Sequence, residues 1–574
     1  TVAGKRSATG RAGRSAPAGG GTLQEFRGLV EEYYEQTFER FPIEGSRAGR
    51  REFDGELGRA RPGDFERQGR LVERILAAVE DLPPQDFDAS AMLDRRTFVA
   101  ALRLEHLNLV ELERWRNDPQ RHLHAVAESL LELVVRNADR LVAVAPGILS
   151  SLRQAPRYFG DAAECLDRPD PLWRELTLEA IPGVISFFNS LAEPLIQTQA
   201  APAGVIRRAV AGACAAVEAY GDAVRSTRPG KAGSFAIGER RLRLLMRDRL
   251  GLDWSPREAM AFARREATRI AAELRREAAH FHPRKSPVEI LAEAAAAWRP
   301  DSGLLEAYTR VTRAVRERFE EAELVSFPKA ERLLIKPVPD FLRELFPTAA
   351  YTPPGAVDPD QTGIFWVNDP GDVDLPPARR AAEIAQHFGL EMTCAHEAYP
   401  GHHLQFMVQH RRPSFVRKLA NHAVYYEGWT LWCEQMTCDL LSQGVGRGRR
   451  ARLRVPGAGL PENPHIRLNQ LNDELWRAWR IVIDVGLQTG ELTCENARRI
   501  LQREVGFTAA RARADINWYT SAPTIPMSYL IGKAELLRLK RRYVDSGGLT
   551  LREFNDWVLS FGAIPWRWIE ESGL

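Results

Sequence analysis

The sequence predicts a mainly helical body with a small β-sheet, and three observations carry that expectation. Apolar residues recur at helical spacing over most of the chain: Leu71, Val72, Ile75, Leu76 and Val79 form one such run, and Val311, Ala314, Val315 and Phe319 another. Ala, Leu, Arg and Glu dominate these runs. Strand-like material is confined to two short stretches.

Residues 1–21 are rich in Gly, Ala, Ser, Arg and Lys and offer almost nothing to bury, so they are read as a disordered basic tail. Helical patterning runs from Leu23 onward, with Pro83, Pro146, Pro182, Pro283 and Pro347 expected as breaks between helices, and residues 22–330 are read as a helical N-terminal part. The stretch 331–574 is read as the catalytic part, joined to the first in one two-lobed body around a cleft. Its first strand is expected at 333–338, with Pro337 suited to an edge. The second is the apolar run Gly363-Ile364-Phe365-Trp366-Val367-Asn368, which follows a turn-rich segment. The Gly- and Arg-rich segment 444–465 reads as a solvated loop, with a basic flap for an acidic substrate group as the alternative.

Composition narrows the function classes. At 574 residues the chain exceeds the size of one ordinary hydrophobic core. Charged residues make up 27%, yet the net charge is only +3, which gives no reason to expect nucleic acid. No apolar run reaches the roughly 18 residues needed to cross a bilayer. The first residues lack the apolar core of a signal peptide, and a soluble cytoplasmic protein is expected. The six cysteines show no zinc-type pairing in their spacing and are read as buried thiols.

The chemistry concentrates in Cys394-Ala395-His396-Glu397-Ala398-Tyr399-Pro400-Gly401-His402-His403-Leu404-Gln405. The metalloprotease signature sets two histidines four apart on one helical face, with a glutamate after the first. Here the position four beyond His396 is Pro400. Six positions advance about 600° along a regular helix and leave His402 about 120° off the face of His396. Pro400 has no N–H for residue 396, and its ring clashes with that carbonyl, so the helix cannot stay regular. The Pro-Gly pair is expected to bulge it and return His402 to a shared metal. His403 is the alternative second ligand: seven positions bring it within about 20° of His396, though about 10.5 Å along the axis. Three histidines clustered around one Glu, in a chain with only twelve, argue for a metal.

A third ligand is sought on the apolar, aromatic segment 423–435. Glu427 and Glu434 lie two turns apart there, and carboxylates in such surroundings are costly unless paired or metal-bound. Glu427 is expected to bind the metal, and Glu434 to hold an imidazole N–H from behind.

At these two segments the chain resembles the bacterial family catalogued as domain of unknown function 885, whose hallmarks are His-Glu-x-x-Pro-Gly-His-His-x-Gln and Glu-Gly-Trp-x-Leu-(aromatic)-x-Glu. They stand here as His396–Gln405 and Glu427–Glu434. The family is similar to the gluzincin metallopeptidases. That resemblance implies a zincin-like body with the sheet beside the active-site helix, the Glu after the first His as general base, and a downstream Glu as third ligand. It favours the Gly401-His402 pair. Weaker similarity runs from about residue 25 to the C-terminus, through the Arg-rich segment 476–487 and through Ser528-Tyr529-Leu530-Ile531-Gly532-Lys533. The chain departs from the family at Gln488, at Trp518-Tyr519 and at Pro523-Thr524-Ile525, which are read as a changed substrate wall.

The expected function is a zinc-dependent hydrolase of amide or peptide bonds, with another divalent metal as a variant. His396, His402 and Glu427 would hold the ion and leave a position for water. Glu397 would be the general base, and Tyr529 a donor to the oxyanion. Arg477 and Arg480, three apart on a helix, are read either as surface arginines or as binders of a substrate carboxylate. The strand carrying Trp366 and Asn368 would pair with an extended substrate. Two alternatives stand beside this reading: a metalloenzyme of specialised metabolism acting on a small non-peptide substrate, and a non-catalytic metal-binding scaffold. The partners expected are a peptide or small-molecule substrate, with neither nucleic acid nor membrane; the oligomeric state is left open.

Overall fold

The computed structural model describes residues 19–137, 139–339, 342–343, 348–371, 375–442 and 463–574. Among them are twenty-five α-helices and three strands, so the body is mainly helical with one small sheet. The periodic runs form helices as expected. Leu71, Val72, Ile75 and Val79 are buried on the helix Pro62–Asp81, which starts at a proline behind an Arg61–Asp64 capping box. Val311, Ala314, Val315 and Phe319 are buried on the helix Leu304–Glu321.

Several sequence expectations are corrected. The first helix begins at Gly19, so residues 19–21 belong to it rather than to a tail; residues 1–18 lie outside the described residues. Pro146 and Pro182 sit inside the helices Leu141–Cys165 and Pro171–Ser190 instead of between helices. A proline in a helix interior costs about 3 kcal/mol, and burial of Ile148, Leu149, Leu152 and Phe159 on one helix and Ile181, Phe187 and Phe188 on the other offsets it. Pro347 and most of the basic segment 444–465 fall outside the described residues.

Strand β1 (Arg332–Pro337) pairs in parallel with β3 (Thr362–Val367), and β2 (Ala349–Thr352) pairs antiparallel with β3 on its other side. Pro337 is therefore on an edge strand, where its missing N–H removes no central ladder bond. Side chains of a strand alternate between faces. On β3 this sends Ile364 and Trp366 into one apolar core and Phe365 and Val367 into another. A strand buried on both faces needs an uninterrupted apolar run, which is why 363–367 lacks alternation.

The core that takes Ile364 and Trp366 is built chiefly from residues Phe26 to Val224, with Val338, Leu342 and Val416 joining it; the other is built chiefly from residues after Ile237. The helices between residues 238 and 321, placed by the sequence reading in the N-terminal part, thus share a core with the site-bearing helices. None of the six cysteines forms a disulfide, and five are buried. Among the described residues no helix is long and apolar enough to cross a membrane.

Candidate metal centre

The helix Leu390–Glu397 ends where the sequence places its proline. A break at Ala398–Gly401 follows, and a second helix, His402–Gln409, begins at the second histidine. The expected bulge is a full break between two helices. The carbonyl of Pro400 accepts a 2.8 Å hydrogen bond from Trp429 Nε1, which ties the break to the helix Ala423–Ser442. Gly401 is required by space: a Cβ there would stand 1.9 Å from the His396 carbonyl oxygen and 2.4 Å from that of Ala395. The chain folds back on the end of the first helix, and so His402 returns to His396. Their ring centroids are 4.9 Å apart and nearly perpendicular.

Glu427 completes the cluster. Its Oε2 lies 3.5 Å from His396 Nε2 and 3.8 Å from His402 Nε2, and one ligand atom from each of the three residues falls within 4.8 Å of the others. A tetrahedral ion with bonds of about 2.0–2.2 Å sets its ligand atoms about 3.3–3.6 Å apart, so small side-chain shifts would admit one. Glu427 Oε2 is buried without a hydrogen-bond donor, a costly state for a carboxylate oxygen that a cation would relieve. The three side chains are 11–14% exposed, which leaves the cluster an opening.

Glu434 lies behind His396, with Oε1 2.8 Å from Nδ1. His402 has no such support; its Nδ1 is buried without a partner. His403 is turned away from the cluster. Its Nε2 is 2.6 Å from Glu331, and its Nδ1 3.0 Å from the Tyr351 hydroxyl. With both ring nitrogens taken, it is not brought to His396.

Charge follows from these contacts. Burial opposes a charge on His396, yet the Glu427 carboxylate 3.5 Å away and the hydrogen-bonded Glu434 outweigh it and raise its pKa to about 10. Burial lowers His402 to about 4. Burial, reinforced by the Glu427 charge, raises Glu397 to about 7. Its Oε2 accepts a 3.3 Å hydrogen bond from the Tyr351 N–H. Tyr529 lies beside Glu427, and burial, reinforced by the Glu427 charge, keeps its phenol protonated. The helix Ile525–Lys540 reaches Glu427 because Gly428 and Gly532 touch: a Cβ on Gly532 would stand 2.0 Å from the Val424 carbonyl oxygen.

Three sequence readings are corrected. Trp366 is 1% exposed within the apolar core, and Asn368 donates to the Arg343 carbonyl. Strand β3 has neighbours on both sides and no edge for a substrate. The edge strand that contacts Glu397 is β2, whose four half-buried residues carry no strand signal in sequence. Gln488 and Thr524, read as substrate wall, are fully buried; Gln488 Nε2 donates to the Tyr519 carbonyl. Arg477 and Arg480 are 8% and 5% exposed and so are not surface arginines.

A cavity of about 800 Å³ lies between the N-terminal helices and the site, lined among others by Tyr33, Tyr34, Phe41, His410, Phe406 and Tyr426. The rings of Phe406 and Tyr426 stand 6.2 and 5.8 Å from that of His402. No sequence signal singled these two out, since aromatic residues at helical spacing are ordinary core.

A mainly helical body with a His/His/Glu cluster across a broken helix is the class that fold and site define. Residues 42–572 match the family described as bacterial protein of unknown function, DUF885, and the chain belongs to that family. Two solved structures share the fold. One, a candidate lipoprotein of unknown function from Shewanella oneidensis, is 16% identical, with a TM-score of 0.74 over 95% of this chain and 99% of its own. The other, a candidate lipoprotein from Colwellia psychrerythraea, is 18% identical, with a TM-score of 0.69 over 96% of this chain and 98% of its own. No curated protein matches the chain.

Proposed function

We propose that the protein is a metal-dependent hydrolase of amide or peptide bonds, with zinc as the favoured ion. The observation that carries this reading is the convergence of His396, His402 and Glu427 beside a further acid outside the three, Glu397. A purely structural site has no use for that acid.

A divalent ion held there would polarise the scissile carbonyl and make water more acidic. Glu397, which is not one of the three converging residues, would take the proton of the attacking water and pass it to the leaving nitrogen. The water oxygen bonds to the carbonyl carbon, the C–N bond breaks, and the proton ends on the amine. Tyr529, kept protonated by burial beside Glu427, would donate a hydrogen bond to the developing oxyanion. Strand β2 offers an edge next to Glu397 for an extended substrate, and the aromatic cavity beside His402 gives room for its apolar part.

The test is metal analysis of the purified protein together with turnover of a peptide library and a panel of small amides. We expect about one zinc per chain, lost in His396→Ala, and turnover lost in Glu397→Gln with metal retained. Turnover of small amides without peptides would shift the reading to specialised metabolism. Metal binding with activity indifferent to Glu397→Gln would leave a metal-binding scaffold.

A further inference from the structure

Arg480 is a buried cation without a direct ion pair. Its guanidinium is 5% exposed and forms no ion pair with any carboxylate among the described residues. Its Nε donates to the Tyr519 hydroxyl at 2.9 Å, and its Nη1 is buried with no acceptor. One turn earlier, Arg477 is 8% exposed; its Nη1 reaches Asp473 at 3.2 Å on the carbonyl and 3.4 Å on the carboxylate, and its Nε is buried without an acceptor. Of the other buried arginines among the described residues, Arg417 is paired with Asp94, whereas Arg114 forms no ion pair and donates to the Phe235 carbonyl.

The surroundings of Arg480 explain how it is held and what it lacks. Its carbon Cζ stands 3.8 Å from the Trp476 ring centroid and 4.5 Å from that of Tyr529, contacts that take up the flat faces of the guanidinium. The N–H groups lie on its edge, and a planar carboxylate is the group that matches that edge. The other charges nearby are Arg511, stacked on Trp476, Asp473, which Arg477 meets, and Asp515, whose Oδ2 is already engaged by Tyr519 and Trp476. Tyr529 itself lies beside Glu427, so the Tyr529 ring stands between Arg480 and the candidate metal centre.

We propose that Arg480, assisted by Arg477, anchors a carboxylate of the substrate, so that the bond cleaved is an amide within a few bonds of a free carboxylate, as in an N-acyl amino acid or the C-terminal end of a peptide. This inference rests on the hydrolase reading for the cleavage, but the anion site itself does not need the metal.

Titration of the full chain with N-benzoylglycine and with its uncharged amide, with zinc and after chelation, tests both separately. We expect the carboxylate to bind at least tenfold more tightly than the amide, Arg480→Gln to abolish that preference, and Arg480→Lys to keep part of it. Any peptide turned over should show a KM at least tenfold higher in Arg480→Gln, with its C-terminal amide unaffected. Should Arg480→Gln fail to fold, Tyr519→Phe, which frees Arg480 Nε, is expected to weaken the preference in its place. Preference for the carboxylate in protein that binds no zinc would leave the anion site standing and remove the hydrolase reading. Equal or absent binding of the two ligands by the unaltered protein, or a preference untouched by Arg480→Gln, would reduce the arginine to an aromatic-caged structural cation and overturn the proposal.

Discussion

Glu434 Oε1 lies 2.8 Å from His396 Nδ1, two helical turns along the same face from Glu427, so one helix meets both nitrogens of one imidazole. A carboxylate behind a ligating histidine fixes its tautomer and strengthens it as a donor. Glu434→Gln is therefore expected to weaken zinc binding about 10–100-fold while the fold persists. Competition against a chromogenic chelator measures it. An unchanged affinity would show that His396 is oriented by packing alone.

His402 and His403 are adjacent yet differ in what their nitrogens meet. His402→Ala is expected to remove the metal. His403→Ala is expected to keep it but to lower thermal stability, because Glu331, whose pKa is held to about 2 against burial by His403, Tyr399 and Arg316, loses a partner. Metal content and melting temperature of the two variants separate the roles. Loss of metal in His403→Ala alone would reverse the ligand assignment.

Much of the site was legible because its signal is local. Pro400 dictates a helix break, Gly401 permits a close approach, and the seven-residue spacing of Glu427 and Glu434 puts both on one face. What was not legible depends on neighbours remote in sequence. Trp366 and Asn368 looked like an open strand until β1 and β2 proved to flank it. Tyr351, which touches both Glu397 and His403, sits on a strand too short and too evenly exposed to show alternation. The burial of Arg477 and Arg480 comes from Trp476, Tyr519 and Tyr529 closing over them, which helical spacing alone does not reveal.

Gly401→Ala tests the fold-back directly. The added methyl would overlap the His396 and Ala395 carbonyl oxygens, and neither can move without unwinding the end of the first helix. Forcing atoms into packed space costs about 1–3 kcal/mol, and the upper end is expected here. Denaturant unfolding should show that loss, and metal content should fall because His402 is displaced from His396. Full metal occupancy at undiminished stability would mean that the break closes by another route.

Acid should unfold the protein earlier than its carboxylates alone would dictate. His122, His387, His410 and His422 are buried, and burial lowers each to about 4, from an ordinary value of about 6.5. His122, for one, is held by the Trp115 carbonyl at 2.7 Å. A histidine whose folded pKa is depressed takes up its proton more readily when unfolded. The stability it lends is full above about pH 6.5 and is lost as pH falls towards 4. Four such groups acting together are expected to make the melting temperature drop steeply between pH 6.5 and 4. His122→Gln, which keeps a polar group near that carbonyl without the titration, should flatten the curve. A melting temperature constant across that interval would mean that these rings are charged or solvated in the folded protein.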